Sequence, residues 1–229
     1  MSIDEQLLPT ARRLHGILTS LWPLLRTDEL GIVVDSAAFA GDATAFHTDH
    51  RDAIGSYLEA LPPGHPARDL RERPPAHLLV IDHGKVQAGG GWSKLLLVGL
   101  HEFAHAIRSE LAEGIYPSFD TLKTVSEYLE DRLGQTMGTG QQPPPTSLLV
   151  TNDLMGAIDQ HLFPAGGPSA RQTFGHWALR TCQHDVSHDL LFYLVLYLLE
   201  REATDRGHFH AGGEVVRSAY APGRVDAAL

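Results

Sequence analysis

"SKLLLVGLHEFAHAIRSELAEG" (residues 93–114) is the stretch on which the reading of this chain turns. Leu96, Leu100, Phe103, Ile107 and Leu111 recur at intervals of three and four, which predicts a helix with an apolar stripe. Ser93 suits its N-cap, and Gly114 falls just past its end, where a left-handed residue closes a helix. His101 and His105 are one turn apart, so their side chains share a face, and that face lies away from the stripe. Two imidazoles so placed can both reach one divalent ion. Glu102 is displaced by about 100° around the helix, where it reaches a water on that ion instead of the ion itself.

That division of labour is what zinc hydrolysis needs: neutral histidine ligands, an open position for water, and a carboxylate to take the water's proton. The chain has 14 histidines, so an HExxH string arises from composition alone roughly one time in twenty. The bland alternative is a solvated helix face. The placement of the motif on a strongly periodic helix, directly after the apolar run "LLLVGL" (95–100), favours a metal site.

Outward from this helix the elements alternate in type. Residues 3–26 carry leucines at helical spacing, "GIVVDSAAF" (31–39) reads as a strand, and "HRDAIGSYLEAL" (50–61) reads as a helix stopped by Pro62 and Pro63. "AHLLVIDH" (76–83) is a second strand, and "GKVQAGGG" (84–91) reads as a flexible turn. "FDTLKTVSEYLEDRLG" (119–134) is a further helix, capped by Asp120. Helical segments follow near 149–162, 171–182 and 184–205. The expected architecture is α+β, a small mixed sheet packed on the HExxH helix and followed by a mainly helical C-terminal part. The expected organisation is a metal-binding core over 1–136, a Gly/Pro-rich linker over 137–146 ("MGTGQQPPPT"), a helical part of the same unit over 147–205, and a tail over 206–229.

Composition narrows the partners. The 229 residues carry a formal net charge of −10, with no basic stripe for nucleic acid or an anionic membrane. The longest apolar run, "LLFYLVLYLL" (190–199), has ten residues, about half of a membrane span. The N-terminus lacks a basic segment followed by an apolar one, so no signal peptide is expected. The single cysteine, Cys182, rules out an internal disulfide and fits a reducing cytoplasm.

Over roughly residues 76–133 the chain resembles the zincin metallopeptidases, which carry HExxH on an active-site helix beside a mixed sheet. The resemblance implies that the "LLVIDH" segment is the edge strand along which an extended substrate lies. The metzincin extension is absent, because "HEFAHAIRSEL" has neither its glycine nor its third histidine. "EYLED" supplies Glu127 and Asp131, and this pair is similar to that of the thermolysin-like gluzincins. There the glutamate is the third zinc ligand and the aspartate orients the first histidine. Against this, Leu122, Val125, Leu129 and Leu133 form the apolar side of that helix, and Glu127 and Asp131 point nearly opposite. Glu130, nearer the apolar edge, and His184 and His188 in "QHDVSHD" (183–189) stay open as third ligands.

Three functions are consistent with these residues. The first is a zinc-dependent metallohydrolase, a peptidase with a peptide or protein substrate, in which His101, His105 and Glu127 hold the metal and Glu102 is the general base. The second is a peptide hydroxylase that binds Fe(2+) at the HExxH helix and uses 2-oxoglutarate, its carboxylate gripped by Arg171 or Arg180. The third is a non-catalytic zincin-like binding domain, against which the intact Glu102 argues.

Overall fold

The computed structural model describes residues 3–35, 44–88, 91–114, 188 and 190–208. They fall into two compact units, the first ending at Ile107 and the second beginning at Arg108.

The first unit is α+β, with a three-stranded mixed sheet of order β1-β3-β2. Strand β1 (Leu30–Asp35) pairs parallel with β3 (His77–Asp82), in register Leu30 with His77 through Asp35 with Asp82. Strand β2 (Ala45–Thr48) pairs antiparallel with β3, Ala45 opposite Ile81 and Thr48 opposite Leu78. The "LLVIDH" strand is therefore central and not the expected edge. Both sides of its backbone are occupied by ladder bonds, and all six of its residues are buried. Among the described residues the edges are β1 and β2. The four-residue β2 has no counterpart in the expectations from sequence, being too short to show a clear alternation.

The two faces of the sheet have different cover. On one, Val33, Leu78 and Val80 pack with Ile54, Leu58 and Leu61. Ile54 and Leu58 sit one turn apart on α2 (Arg51–Ala60), which matches the expected helix within a residue at each end. A 3-10 helix over Pro66–Arg71 adds Ala67 and Leu70 to this core. The opposite face holds the alternate residues of the strands, His47 and His77 among them.

Helix α1 (Ile3–Leu21) buries Leu7, Ala11, Leu14, Leu18 and Leu21, a stripe at spacings of three and four, and packs on β1. It stops at Leu21, before the expected residue 26, and the chain turns into β1. The His15 ring pins that turn, its Nε2 lying 3.0 Å from Thr27 O and 3.1 Å from Leu30 O.

"GKVQA" proves helical, as α3 (His83–Ala88), and not a flexible turn. Asp82 explains the difference: its carboxylate accepts a hydrogen bond from the Lys85 backbone N–H (3.1 Å), a side-chain N-cap that the reading of glycines overlooked. Helix α4 (Gly91–Ala112) starts two residues before Ser93 and ends as expected, with Gly114 at φ 72°. Its burial is wider than one stripe. Leu97, Val98, Ala104 and Ala106 are buried beside Leu96, Leu100, Phe103 and Ile107, because an apolar run with no polar interruption covers the whole circumference of a helix. Gly99 permits the close approach of α1: a Cβ there would sit 2.9 Å from Leu14 Cδ1.

In the second unit, α5 (Leu190–Asp205) buries Leu191, Phe192, Tyr193, Val195, Leu196, Tyr197, Leu199 and Ala203. Glu200, near the end of this helix, is buried, while Glu202 pairs with Arg206 at 2.7 Å. No helix among the described residues is long and apolar enough to cross a membrane.

Candidate metal centre

The helix side of the site comes directly from local geometry. His101 and His105 on α4 are half-buried, with ring centroids 5.1 Å apart and planes at 76°. Their metal-binding nitrogens lie within 4.8 Å of each other, close enough for one ion with normal bond lengths. Between them Glu102 turns inward and is 8% exposed. Burial alone pushes its carboxyl up to about 8, since a low-dielectric surrounding disfavours the carboxylate. A cation at the neighbouring histidines would work in the opposite sense and restore the charged form. The two histidines are thus partly accessible, and the glutamate between them in sequence is buried.

The sheet side was invisible from spacing. His47 on β2 and His77, the first residue of β3, bring Nε2 and Nδ1 to 3.1 Å, with ring centroids 5.3 Å apart. His47 also stacks against His105, centroids 6.2 Å apart and planes at 5°. The result is a continuous row of imidazoles, His101, His105, His47 and His77, bridging α4 and the sheet. Asp49, exposed at the end of β2, brings a carboxylate oxygen within 4.8 Å of the His47 and His77 nitrogens. Burial and then the His77 imidazole push His47 down to about 4, against the opposing pull of Asp49. His47 is therefore neutral at pH 7, the form that can ligate a metal.

The sheet explains the juxtaposition. In an antiparallel pair, directly opposed residues share a face. His47 opposes Leu79 and Thr48 opposes Leu78, so the same register continued one step sets Asp49 opposite His77. All three donors thereby emerge on one face of the sheet. "FHTDH" (46–50) carries the signal as an alternation of His47 and Asp49, legible only once the strand is known to exist.

Glu127 and Asp131, the expected third ligand and its companion, lie outside the described residues, as do Glu130, His184, Arg171, Arg180 and the 137–146 linker. His188, in the second unit, stacks on Phe192 with centroids 4.0 Å apart and meets Tyr193 edge-on at 5.9 Å. A separate pocket of about 570 Å³ runs along β1 between α1 and the 3-10 helix, and none of the four clustered histidines lines it. Comparison of the chain with protein-family models, with curated proteins and with solved structures finds no match.

Proposed function

We propose that the chain is a zinc-dependent metallohydrolase of zincin-like design, acting as a peptidase. The observation that carries this reading is the setting of "HEFAH" on α4: two half-buried imidazoles within reach of one ion, and between them a buried glutamate. The donor set fits zinc, which takes neutral imidazole nitrogens and leaves a position open in hydrolytic sites. His101 and His105 hold the metal in this reading. In the same reading Glu127 is the third ligand and Asp131 orients His101. When bound, zinc supplies an acidified water and polarises a carbonyl.

Glu102 does the proton work. Burial strips water from its carboxylate and raises its basicity, so that it accepts a proton from the attacking water and returns it to the leaving amine nitrogen. Strand β2 provides the edge for an extended substrate, since a peptide adding to its outer side would gain backbone hydrogen bonds while passing the histidine row.

The test is a peptide-library cleavage assay on the zinc-loaded chain beside Glu102→Gln. The expected result is cleavage by the first and loss of cleavage in the second with zinc content unchanged. Unchanged cleavage, or parallel loss of zinc, contradicts the role given to Glu102. Substitutions at Glu127, Glu130, His184 and His188, read by zinc affinity, identify the third ligand. Iron in place of zinc in the purified protein would move the chemistry to peptide hydroxylation with 2-oxoglutarate.

A further inference from the structure

We propose that His47, Asp49 and His77 form a second divalent transition-metal site, on the sheet side of the histidine row and separate from the site of His101 and His105. This site does not rest on the hydrolase reading, because none of its three donors belongs to the HExxH motif.

Three observations carry it. The first is convergence: one ligand atom from each residue lies within 4.8 Å of the others. The second is the nitrogen spacing. Imidazole nitrogens that each sit roughly 2.0–2.1 Å from one ion, at angles between octahedral and tetrahedral, lie about 2.9–3.4 Å apart. His47 Nε2 and His77 Nδ1 are 3.1 Å apart. A hydrogen bond between the two rings accounts for that distance as well; the Asp49 carboxylate converging on the same two nitrogens adds a third donor. The third is the mixture of settings. His77 is buried and His47 half-buried, which fixes the nitrogen donors, while Asp49 is exposed and leaves the ion open to water.

Two imidazoles and one carboxylate with open positions make the donor set of non-haem iron centres, and the same set accepts zinc or cobalt. The site is held by strand pairing and not by a helix turn, so its geometry depends on the β2–β3 register. The contact of His47 with His105 makes the two centres neighbours within one unit.

The experiment measures zinc stoichiometry by native mass spectrometry on the untagged full chain, stripped with chelator and reloaded. His101→Ala with His105→Ala reports the sheet site alone. One zinc is expected on this variant, and none once Asp49→Asn and His47→Gln are added. No zinc on the double variant overturns the proposal, whatever the wild type binds; so does one zinc that survives the two added changes. If the alanine variant fails to fold by circular dichroism, His101→Asn with His105→Asn takes its place. The reciprocal variant, Asp49→Asn with His47→Gln alone, reports the α4 site. Loss of zinc there with retention on the double variant would sink the hydrolase reading and leave the second site standing.

Discussion

The two halves of the histidine row make the same kind of contact by different means. On α4, His101 and His105 meet because a helix turns once in 3.6 residues, so their proximity is a local property of five consecutive positions. On the sheet, His47 and His77 are thirty positions apart and meet because β2 and β3 pair in one particular register. A helix pair survives small shifts of the surrounding packing. A sheet pair survives only if the register does, since a slip by one residue sends His47 to the other face. The α4 pair is thus the robust half of the row, and the sheet pair the conditional half.

The sharpest way to break this comparison is to remove a helix ligand. His101→Ala should weaken zinc binding at the α4 site by at least about 100-fold, because a two-donor remnant seldom holds catalytic zinc, and leave ion uptake at His47 and Asp49 in place. Isothermal titration with zinc reads both effects in one experiment. Equal weakening of both would show a single shared centre.

The buried glutamate gives the next effect, in the pH dependence of stability. The Glu102 carboxyl sits at about 8 in the fold against an ordinary 4.5. With the folded value raised, its favourable protonated form is fully present below about pH 4.5, and stability is lost as pH rises toward 8. Metal-free Glu102→Gln should therefore exceed the metal-free wild type in stability at pH 8, by up to about 4 kcal/mol. The gap should close near pH 4.5 and shrink when zinc is bound. Denaturant melts at the two pH values check this. A gap that is independent of pH would contradict the burial of an ionisable group there.

A smaller effect of opposite sign belongs to the sheet. His47 is held down at about 4 against an ordinary 6.5. Its stability contribution is complete above pH 6.5 and is lost as pH falls toward 4, because the unfolded chain then takes up the proton first. His47→Gln should remove about 3 kcal/mol of acid sensitivity across that window, seen as a flatter Tm profile.

The smallest effect separates scaffold from site. Gly99→Val places side-chain atoms where Leu14 Cδ1 already stands 2.9 Å from an ideal Cβ, and overpacking of this kind costs about 1–3 kcal/mol. Thermal stability should fall while the α4 zinc affinity holds, since the histidine geometry is internal to the helix.

The sequence made some of these features legible and concealed others, according to how local their causes are. Helix α4, its end at Gly114, and the sharing of one face by His101 and His105 were readable, because each is decided within a few residues. Strand β3 was readable as a strand and misplaced as an edge: its apolar run shows burial, and only pairing with β1 and β2 shows that it lies between them. β2 passed unnoticed because four residues give too short an alternation. With it went His47 and Asp49, and with them the meaning of His77. Helix α3 was obscured by its glycines, although the cap at Asp82 was available to be read.

The central claim is that the α4 pair holds a metal ion, and the most direct measurement is zinc bound per chain in a background without the sheet donors. In the full chain carrying His47→Gln and Asp49→Asn, native mass spectrometry should find one zinc, lost when His101→Ala is added. A folded chain that binds no zinc in that background, after zinc is supplied, would contradict the account.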